Sequence, residues 1–93
     1  MGIEKFEDLV AWQKAQDLAV NIYSNFNQNK DFGFREQIQR ASVSISNNIA
    51  EGFDRSSNAD FSRFLYISLA STSEVKSMLY LAVRLNDDLS KND

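Results

Sequence analysis

The sequence predicts an all-α protein in which a single domain, residues 1–93, forms an up-down antiparallel helix bundle. Three observations predict it: apolar residues recur every three or four positions in three stretches, polar runs separate the stretches, and Pro is absent. A three-four spacing places apolar side chains on one face of a helix, and short connections favour antiparallel neighbours. The expected helices cover approximately residues 8–27, 33–55 and 58–89.

The first predicted helix carries an apolar stripe that ends in an Asn-rich run. The stripe and its widened edge consist of Trp12, Ala15, Leu18, Ala19, Ile22, Tyr23 and Phe26. Residues 25–31 end this helix, because Asn and Asp side chains compete for backbone hydrogen bonds and favour turns. Phe6 and Trp12 are interpreted as core and staple residues rather than as a site that stacks a ligand.

The centre of the second predicted helix has a low helix propensity. Its stripe consists of Phe34, Ile38, Ala41, Ile45 and Ile49. Residues 42–46 alternate Ser with β-branched residues, which lowers helix propensity and would also suit a strand. A helix is still expected, because no second strand exists to pair with this one. The small side chains indicate that another helix approaches closely here, and Gly52 is a place where the helix is expected to loosen.

The third predicted helix begins at a cap and carries the longest seam. Ser57 is the expected N-cap, with Asp60 three residues further on. The seam and its edge consist of Phe61, Phe64, Leu65, Ser68, Leu69, Ser71, Thr72, Val75, Met78, Leu79, Ala82, Leu85 and Leu89. Thirty residues span about 45 Å. Since the first two helices are too short to cover that length, the end of the third is expected to fray or to be covered by another subunit.

The composition disfavours catalysis. No His and no Cys is present among the 93 residues, which removes the commonest general base, thiolate nucleophiles and the commonest metal ligands. The three glycines are isolated, so no phosphate-binding loop is present. We therefore expect a protein that is not an enzyme and that has no cofactor, no metal site and no small-molecule substrate.

The net charge and the hydropathy disfavour two classes of partner, nucleic acids and membranes. Ten Lys and Arg against thirteen Asp and Glu give a net charge of −3, whereas proteins that bind nucleic acid usually carry a basic surface. No apolar stretch approaches the roughly 20 residues of a membrane-spanning helix, and the first residues lack a signal-peptide pattern. A cytoplasmic protein without a membrane partner is expected, and its small size favours self-association.

One polar stripe flanks the apolar face of the second predicted helix. Arg40, Asn47 and Glu51 share a side of this helix, with Ser44 nearby. One interpretation is a solvated face with weak ion pairs. The other is a buried polar strip at a helix or subunit interface, in which partner groups satisfy Arg40 and Glu51. Separately, Arg55 and Arg63 flank the turn that follows and either solvate it or form a small basic patch.

Three segments resemble one protein family. Residues 8–15, DLVAWQKA, resemble the opening of the proteins encoded in 23S rRNA intervening sequences, and residues 61–65, FSRFL, resemble the start of the family's third helix. Residues 37–55, QIQRASVSISNNIAEGFDR, are similar to its central signature. The motif positions are Gln37, Arg40, Ser44, Asn48, Glu51, Gly52, Arg55 and Arg63.

The resemblance implies a bacterial antiparallel four-helix bundle that assembles into a ring, commonly a homopentamer. It does not imply a catalytic activity, because the biochemical role of the family is poorly defined, and we expect an oligomeric binding or scaffold protein of undefined role. On this basis Arg40 and Glu51 are expected to pair between helices or subunits, with Asn48 satisfying polar groups nearby.

A related branch of the family accompanies reverse transcriptases in diversity-generating retroelements, where a basic bundle binds the polymerase and nucleic acid. The alternative function implied by this branch is therefore a nucleic-acid-binding accessory protein. It requires four arginines to converge on one face of the oligomer: Arg35, Arg55, Arg63 and Arg84.

The sequence departs from the family pattern in three ways. Ser46 stands where the family usually has Pro, which eases helix continuity. The net charge is acidic rather than basic. Family members continue into a fourth helix beyond the position of Asp93, so a three-helix chain is expected to expose an apolar groove. We expect either an assembly that covers this groove or reduced stability.

Overall fold

Three α-helices follow one another in the computed structural model, which describes residues 2–91 and the side chains of residues 2–86. They are α1 (Val10–Phe26), α2 (Phe32–Phe53) and α3 (Asn58–Lys91). The all-α class is confirmed, since residues 2–91 contain no strand. Each predicted boundary lies within two residues of the observed one. α1 begins at Val10 rather than at residue 8, because Phe6–Asp8 form a separate 3-10 turn.

Side-chain contacts show that neighbouring helices run antiparallel. Gln16 of α1 donates to Ser46 of α2 at 2.9 Å. Ser68 of α3 donates to the carbonyl of Ile45 at 2.9 Å, while Gln37 near the start of α2 reaches Glu74 later in α3. Since numbers rise along α3 as they fall along α2, the chain runs up, down and up. The four-helix arrangement is not confirmed, because the described residues form three helices.

α2 is the central helix, and α1 and α3 flank it. Within the part of the chain that the structure describes, no Cα atom of α1 lies within 8 Å of a Cα atom of α3. Both helices pack on α2 instead. The arrangement therefore leaves an open groove between α1 and α3.

Side-chain caps fix where α2 and α3 begin. The Asp31 carboxylate accepts a hydrogen bond from the backbone N–H of Phe34 at 3.1 Å. The Ser57 hydroxyl accepts from the N–H of Asp60 at 3.1 Å, so the predicted N-cap of α3 is confirmed. Each cap satisfies one of the N–H groups that the first turn of a helix leaves without a partner.

The core follows the predicted stripes of all three helices. Its buried residues are Ala15, Ile22, Ile38, Ala41, Ile45, Ile49, Phe64, Val75 and Met78. The strand alternative for residues 42–46 is wrong, because the whole segment lies in α2. Ser42 is fully buried there and donates to the carbonyl of Gln39 at 2.8 Å, so its hydroxyl is satisfied within the helix. The close approach expected at this segment is confirmed for α3, whose short Ser68 side chain donates directly to the backbone carbonyl of Ile45 at 2.9 Å.

The edges of the predicted stripes are more exposed than expected. Since the backbones of α1 and α3 stay apart, the buried stripe of each of these helices is narrow. Several residues that were expected to widen or continue the core are therefore exposed: Tyr23, Leu65, Leu69, Thr72, Leu79 and Leu85. The side chain of Leu89, also expected in the seam, lies outside the described residues.

α3 is longer than its neighbours can cover. Its 34 residues correspond to about 51 Å, against about 33 Å for the 22 residues of α2. A four-residue connection holds the end of α2 beside the start of α3, so the excess length lies at the C-terminal end of α3. The chain is accordingly elongated, with extents of 58 × 21 × 18 Å.

Candidate interaction surface on helix α2

Most of the signature segment 37–55 lies in α2, where it forms two faces together with the preceding Glu36. The inward face is buried and consists of Ile38, Ala41, Ser42, Ile45, Ser46, Ile49 and Gly52. The opposite face carries polar residues at spacings of three and four, which places them in one row along the helix. We call this row the outer ridge: Glu36, Arg40, Ser44, Asn47 and Glu51.

The charged residues of the outer ridge are exposed within one chain. Arg40 and Glu36 form an ion pair one helical turn apart, with 78% and 69% of their side chains exposed. Such a pair stabilises a helix by only about 0.3–0.5 kcal/mol. Arg40 and Glu51 are eleven residues apart, or about 16 Å along the helix, so they do not pair in one chain. Their pairing across an interface stays a prediction.

One edge of the outer ridge is tied to α3. The Asn48 amide donates to the Ser44 carbonyl at 2.8 Å and to the Ser44 hydroxyl at 2.9 Å. Ser71 of α3 donates to the same hydroxyl at 2.9 Å. Asn48 thus satisfies the polar groups beside it, as expected, and the network holds Ser44 in place relative to α3.

Gly52 lies at the C-terminal end of α2 and permits close packing there. α2 ends at Phe53, one residue after Gly52, so the helix ends where the sequence placed its loosening. A Cβ atom added at Gly52 would lie 2.6 Å from the Cβ of Phe64 and 3.3 Å from the carbonyl oxygen of Phe61. Next to this contact, the rings of Phe53 and Phe61 meet edge to face at 5.9 Å. Gly52 is therefore the residue that lets α3 approach α2 at this end.

The four arginines proposed for nucleic-acid binding lie at two ends of one chain. The guanidinium groups of Arg55 and Arg63 lie 4.8 and 5.0 Å from the Phe64 ring centroid, near the α2–α3 connection. Arg35 lies near the other end of α2, about 30 Å away along the helix, and Arg84 lies late in α3 on that same side. One chain thus presents two separate pairs rather than one patch of four.

The groove between α1 and α3 is open and largely apolar. Its volume is about 900 Å³. Ile22, Phe26 and Phe34 line it from α1 and α2, and Leu79 and Leu85 line it from α3. The Phe26 and Phe34 rings lie 5.8 Å apart between their centroids. This is the exposed groove expected of a three-helix chain.

The described part of the chain holds neither a cluster of metal ligands nor a helix suited to cross a membrane. Among the side chains that the structure describes, those of residues 2–86, no group of three or more acidic, His or Cys residues is placed to hold a metal ion. Within the same range, no helix combines the length and hydropathy that crossing a membrane requires.

The comparison with protein families agrees with the resemblance of the signature segment. The family model for the 23S rRNA-intervening sequence protein matches residues 7–87. No curated protein and no solved structure matches the chain. The matched span contains α1, α2 and most of α3, together with every residue of the outer ridge. The chain therefore belongs to the family of 23S rRNA-intervening sequence proteins.

Proposed function

We propose that this protein is a non-enzymatic, cytoplasmic helical protein that self-associates and acts as an oligomeric binding scaffold. One observation carries the proposal: one face of the family signature is buried against α1 and α3, while charged residues on its other face are exposed on the outer ridge of α2. Packing within the chain accounts for the inward residues. It does not account for the charged residues of the ridge, whose exposed pair adds little stability.

The outer ridge has the properties of a binding surface. Its backbone belongs to a 22-residue helix that is packed on two sides, so its side chains project from a rigid support. Arg and Asn supply several hydrogen-bond donors, and Glu supplies acceptors. A row of this kind selects a partner by the placement of its charges rather than by apolar area.

The apolar groove between α1 and α3 is a second observation that supports self-association. Leu79 and Leu85 at its wall, together with Val83 beside them, are exposed in one chain. Covering apolar surface stabilises an assembly by about 25 cal/mol per Å² removed from water. The ring of five copies implied by the family resemblance is one assembly that would combine such surfaces.

The concentration dependence of thermal unfolding tests this proposal. If copies associate only when folded, the melting temperature rises with protein concentration, because association stabilises the native state by mass action. We expect such a rise for the wild-type chain, measured by circular dichroism from the lowest usable concentration upwards. A melting temperature that does not change over this range would contradict self-association.

Nucleic-acid binding is the second candidate function, and the pairing of Arg55 with Arg63 at one ring favours it. Two cations held at fixed positions can neutralise neighbouring phosphates, and such binding weakens steeply with salt as counterions are released. The experiment measures binding of RNA and single-stranded DNA at low and high salt. The Arg55→Gln/Arg63→Gln variant should lose binding, and the absence of any binding at low salt would remove this candidate.

A further inference from the structure

We propose that the outer ridge of one copy binds a different surface, on α3, of the next copy in a ring. This inference rests on the proposed self-association and names the two surfaces that perform it. The second surface is a row of exposed residues in the first half of α3, at spacings of three and four. We call this row the outer flank: Arg63, Tyr66, Ile67, Ala70 and Glu74.

The charges of the two rows have the same spacing and the opposite direction. Arg40 and Glu51 of the outer ridge are eleven residues apart, and Arg63 and Glu74 of the outer flank are also eleven residues apart. Because α2 and α3 run antiparallel, the arginines of the two rows lie towards opposite ends of the bundle. Each arginine of one row is therefore expected at the height of the glutamate of the other row.

Hydrogen bonds within one chain establish the first of these two heights. Gln37 donates to Glu74 at 3.2 Å, and Ser71 donates to Ser44 at 2.9 Å. Arg40 lies between Gln37 and Ser44 on α2. It is therefore level with the end of the outer flank at which Glu74 lies.

A third hydrogen bond establishes the second height. Ser68 donates to the carbonyl of Ile45 at 2.9 Å. Glu51 lies six residues after Ile45, and Arg63 lies five residues before Ser68. Since the helices run antiparallel, Glu51 and Arg63 are level to within about 1.5 Å, the rise of one helical residue.

A ring whose axis runs along the bundle brings these charges together. Rotation about such an axis does not shift one copy along it, so residues of equal height face each other between neighbouring copies. The outer ridge of one copy on the outer flank of the next thus places Arg40 at Glu74 and Glu51 at Arg63. Contacts between two different surfaces close into rings when the rotation between copies allows it, and the ring of five implied by the family resemblance is one such assembly.

The charges also fix the register of the two rows. If one copy slid along the axis by the length of a row, Arg40 would approach Arg63 or Glu51 would approach Glu74, and like charges that face each other destabilise a complex. The mixed signs favour a second copy over a nucleic acid, because each row would set a glutamate against the phosphates. Opposite charges at equal heights thus select a neighbouring copy of this chain.

The centre of the contact is apolar on one side and recessed on the other. Tyr66, with 72% of its surface exposed, and Ile67 lie between the charged ends of the outer flank. At the height of Tyr66, the outer ridge borders a depression of about 480 Å³ whose lining includes Val43 and Asn47. An exposed tyrosine opposite a recess is typical of an interface anchor, because its ring buries a large area and its hydroxyl keeps a hydrogen-bond partner.

The charged groups that meet have capacity for a further partner. Neither Glu51 nor Glu74 belongs to an ion pair within the described residues. Arg40 and Arg63 each meet one carboxylate of their own helix and remain mostly exposed. Since a guanidinium group carries five N–H donors, the contact adds two charge pairs without breaking one.

Exchange of the Glu51–Arg63 charges tests the contact. Glu51→Arg alone and Arg63→Glu alone each place like charges at every contact of the ring. We expect each single variant to associate about tenfold or more weakly than wild type, judged by its mass in solution over a range of concentrations. The double variant Glu51→Arg/Arg63→Glu should regain the wild-type mass, because opposite charges then face each other again with their places exchanged.

The double variant and a distant reversal serve as controls. The double variant carries both substitutions, so its recovered mass excludes damage to the fold as the cause of the loss in either single variant. Arg84→Glu changes the net charge as much as Arg63→Glu does. Arg84 lies ten residues after Glu74, about 15 Å further along α3 and beyond the start of α2, so this variant should keep the wild-type mass.

A substitution without a change of charge tests the centre of the contact. Tyr66→Ala should lower the mass of the assembly at a given concentration, because it removes the anchor. Tyr80→Ala is the matched control, since Tyr80 also lies on α3 and is 67% exposed but is not part of the outer flank. Circular dichroism at low concentration should show the same helix content for both variants.

Each outcome decides between the inference and the function on which it rests. If wild type associates and either single reversal or Tyr66→Ala keeps its mass, or if the folded double variant stays dissociated, the contact between ridge and flank is overturned while self-association stands. A contact between two different surfaces leaves one of each free in a pair, so a wild-type assembly that stops at two copies also overturns it. A wild-type chain that stays monomeric at all concentrations overturns both.

Discussion

The two faces of α2 belong to one stretch of sequence but make opposite contacts. On the inward face, Ile38 is completely buried, and Gly52 touches Phe64 so closely that no larger side chain fits. On the outer ridge, Arg40 and Glu36 are mostly exposed and touch mainly each other. Both faces are polar in part, since Ser42 and Ser46 are buried inside while Ser44 lies on the ridge.

This difference separates stability from recognition within a single helix. Inward side chains remove apolar area from water and close the gap to α1 and α3, so their loss should lower the free energy of unfolding. Outer side chains are already solvated in one chain, so their loss should alter association instead. Substitutions on the two faces therefore have different expected readouts.

The largest effect is expected from Ile38→Ala on the inward face. Ile38 has no exposed surface, and removing a buried Ile side chain costs about 2–5 kcal/mol of unfolding free energy, from lost transfer energy and from the cavity left behind. Urea unfolding measures this loss of unfolding free energy. Asn47→Ala, on the outer ridge of the same helix, is the control and should change the value by less than about 0.5 kcal/mol. Equal losses in the two variants would contradict the division of α2 into two faces.

The next largest effect is expected from Gly52→Ala, which should lower the free energy of unfolding by about 1–3 kcal/mol through overpacking. The added methyl group would lie 2.6 Å from the Phe64 Cβ atom, which is fixed to the backbone of α3 and cannot turn away. Gly33→Ala is the matched control, because a Cβ atom there meets only the Asp31 carboxylate at 3.7 Å. That variant should keep or slightly raise stability. If both variants unfolded at the same urea concentration, the close-packing role of Gly52 would be refuted.

A smaller loss is expected from Ser68→Ala. The buried Ser68 hydroxyl donates to the Ile45 carbonyl at 2.9 Å and so links α3 to the inward side of α2. A hydrogen bond of this kind contributes about 0.5–1.5 kcal/mol. Ser62→Ala, at an exposed position of α3, provides the comparison in thermal unfolding and should have no measurable effect. A neutral Ser68→Ala variant would show that the link adds nothing to stability.

The smallest effect on the single chain is expected from Arg40→Ala, which removes only an exposed ion pair worth about 0.3–0.5 kcal/mol. Its effect on assembly should be large by comparison, with a lower mass in solution than wild type at equal concentration. Light scattering measures that mass, and Arg84→Ala serves as the control. An Arg40→Ala variant with unchanged mass and melting temperature would remove Arg40 from the interface.

Periodicity predicted the helices and the centre of each stripe, because the three-four spacing of residues such as Ile38, Ile45 and Ile49 depends only on helix geometry. The Ser57 cap was predictable for a similar reason, since it depends on residues within one turn. The width of each buried apolar stripe could not be predicted in this way. Leu65 and Leu69 are exposed because the backbones of α1 and α3 stay apart, and a spacing within one helix carries no information on that separation.

The candidate site was predictable in part. The row of Arg40, Asn47 and Glu51 follows from their spacing, but the Glu36 partner of Arg40 was missed, although an acidic residue four positions earlier is a signal for such a pair. The role of Gly52 was also missed, because the partner that requires a glycine is Phe64, which belongs to another helix. Contacts between helices are set by tertiary packing and leave little trace in local sequence.

The mass of the wild-type chain in solution tests the central claim most directly. Light scattering coupled to size exclusion, at a low and a high protein concentration, gives this mass without a label or a ligand. Self-association predicts a defined multiple of 10.6 kDa at the higher concentration. A mass of 10.6 kDa at both concentrations would contradict the proposal that copies of this chain associate.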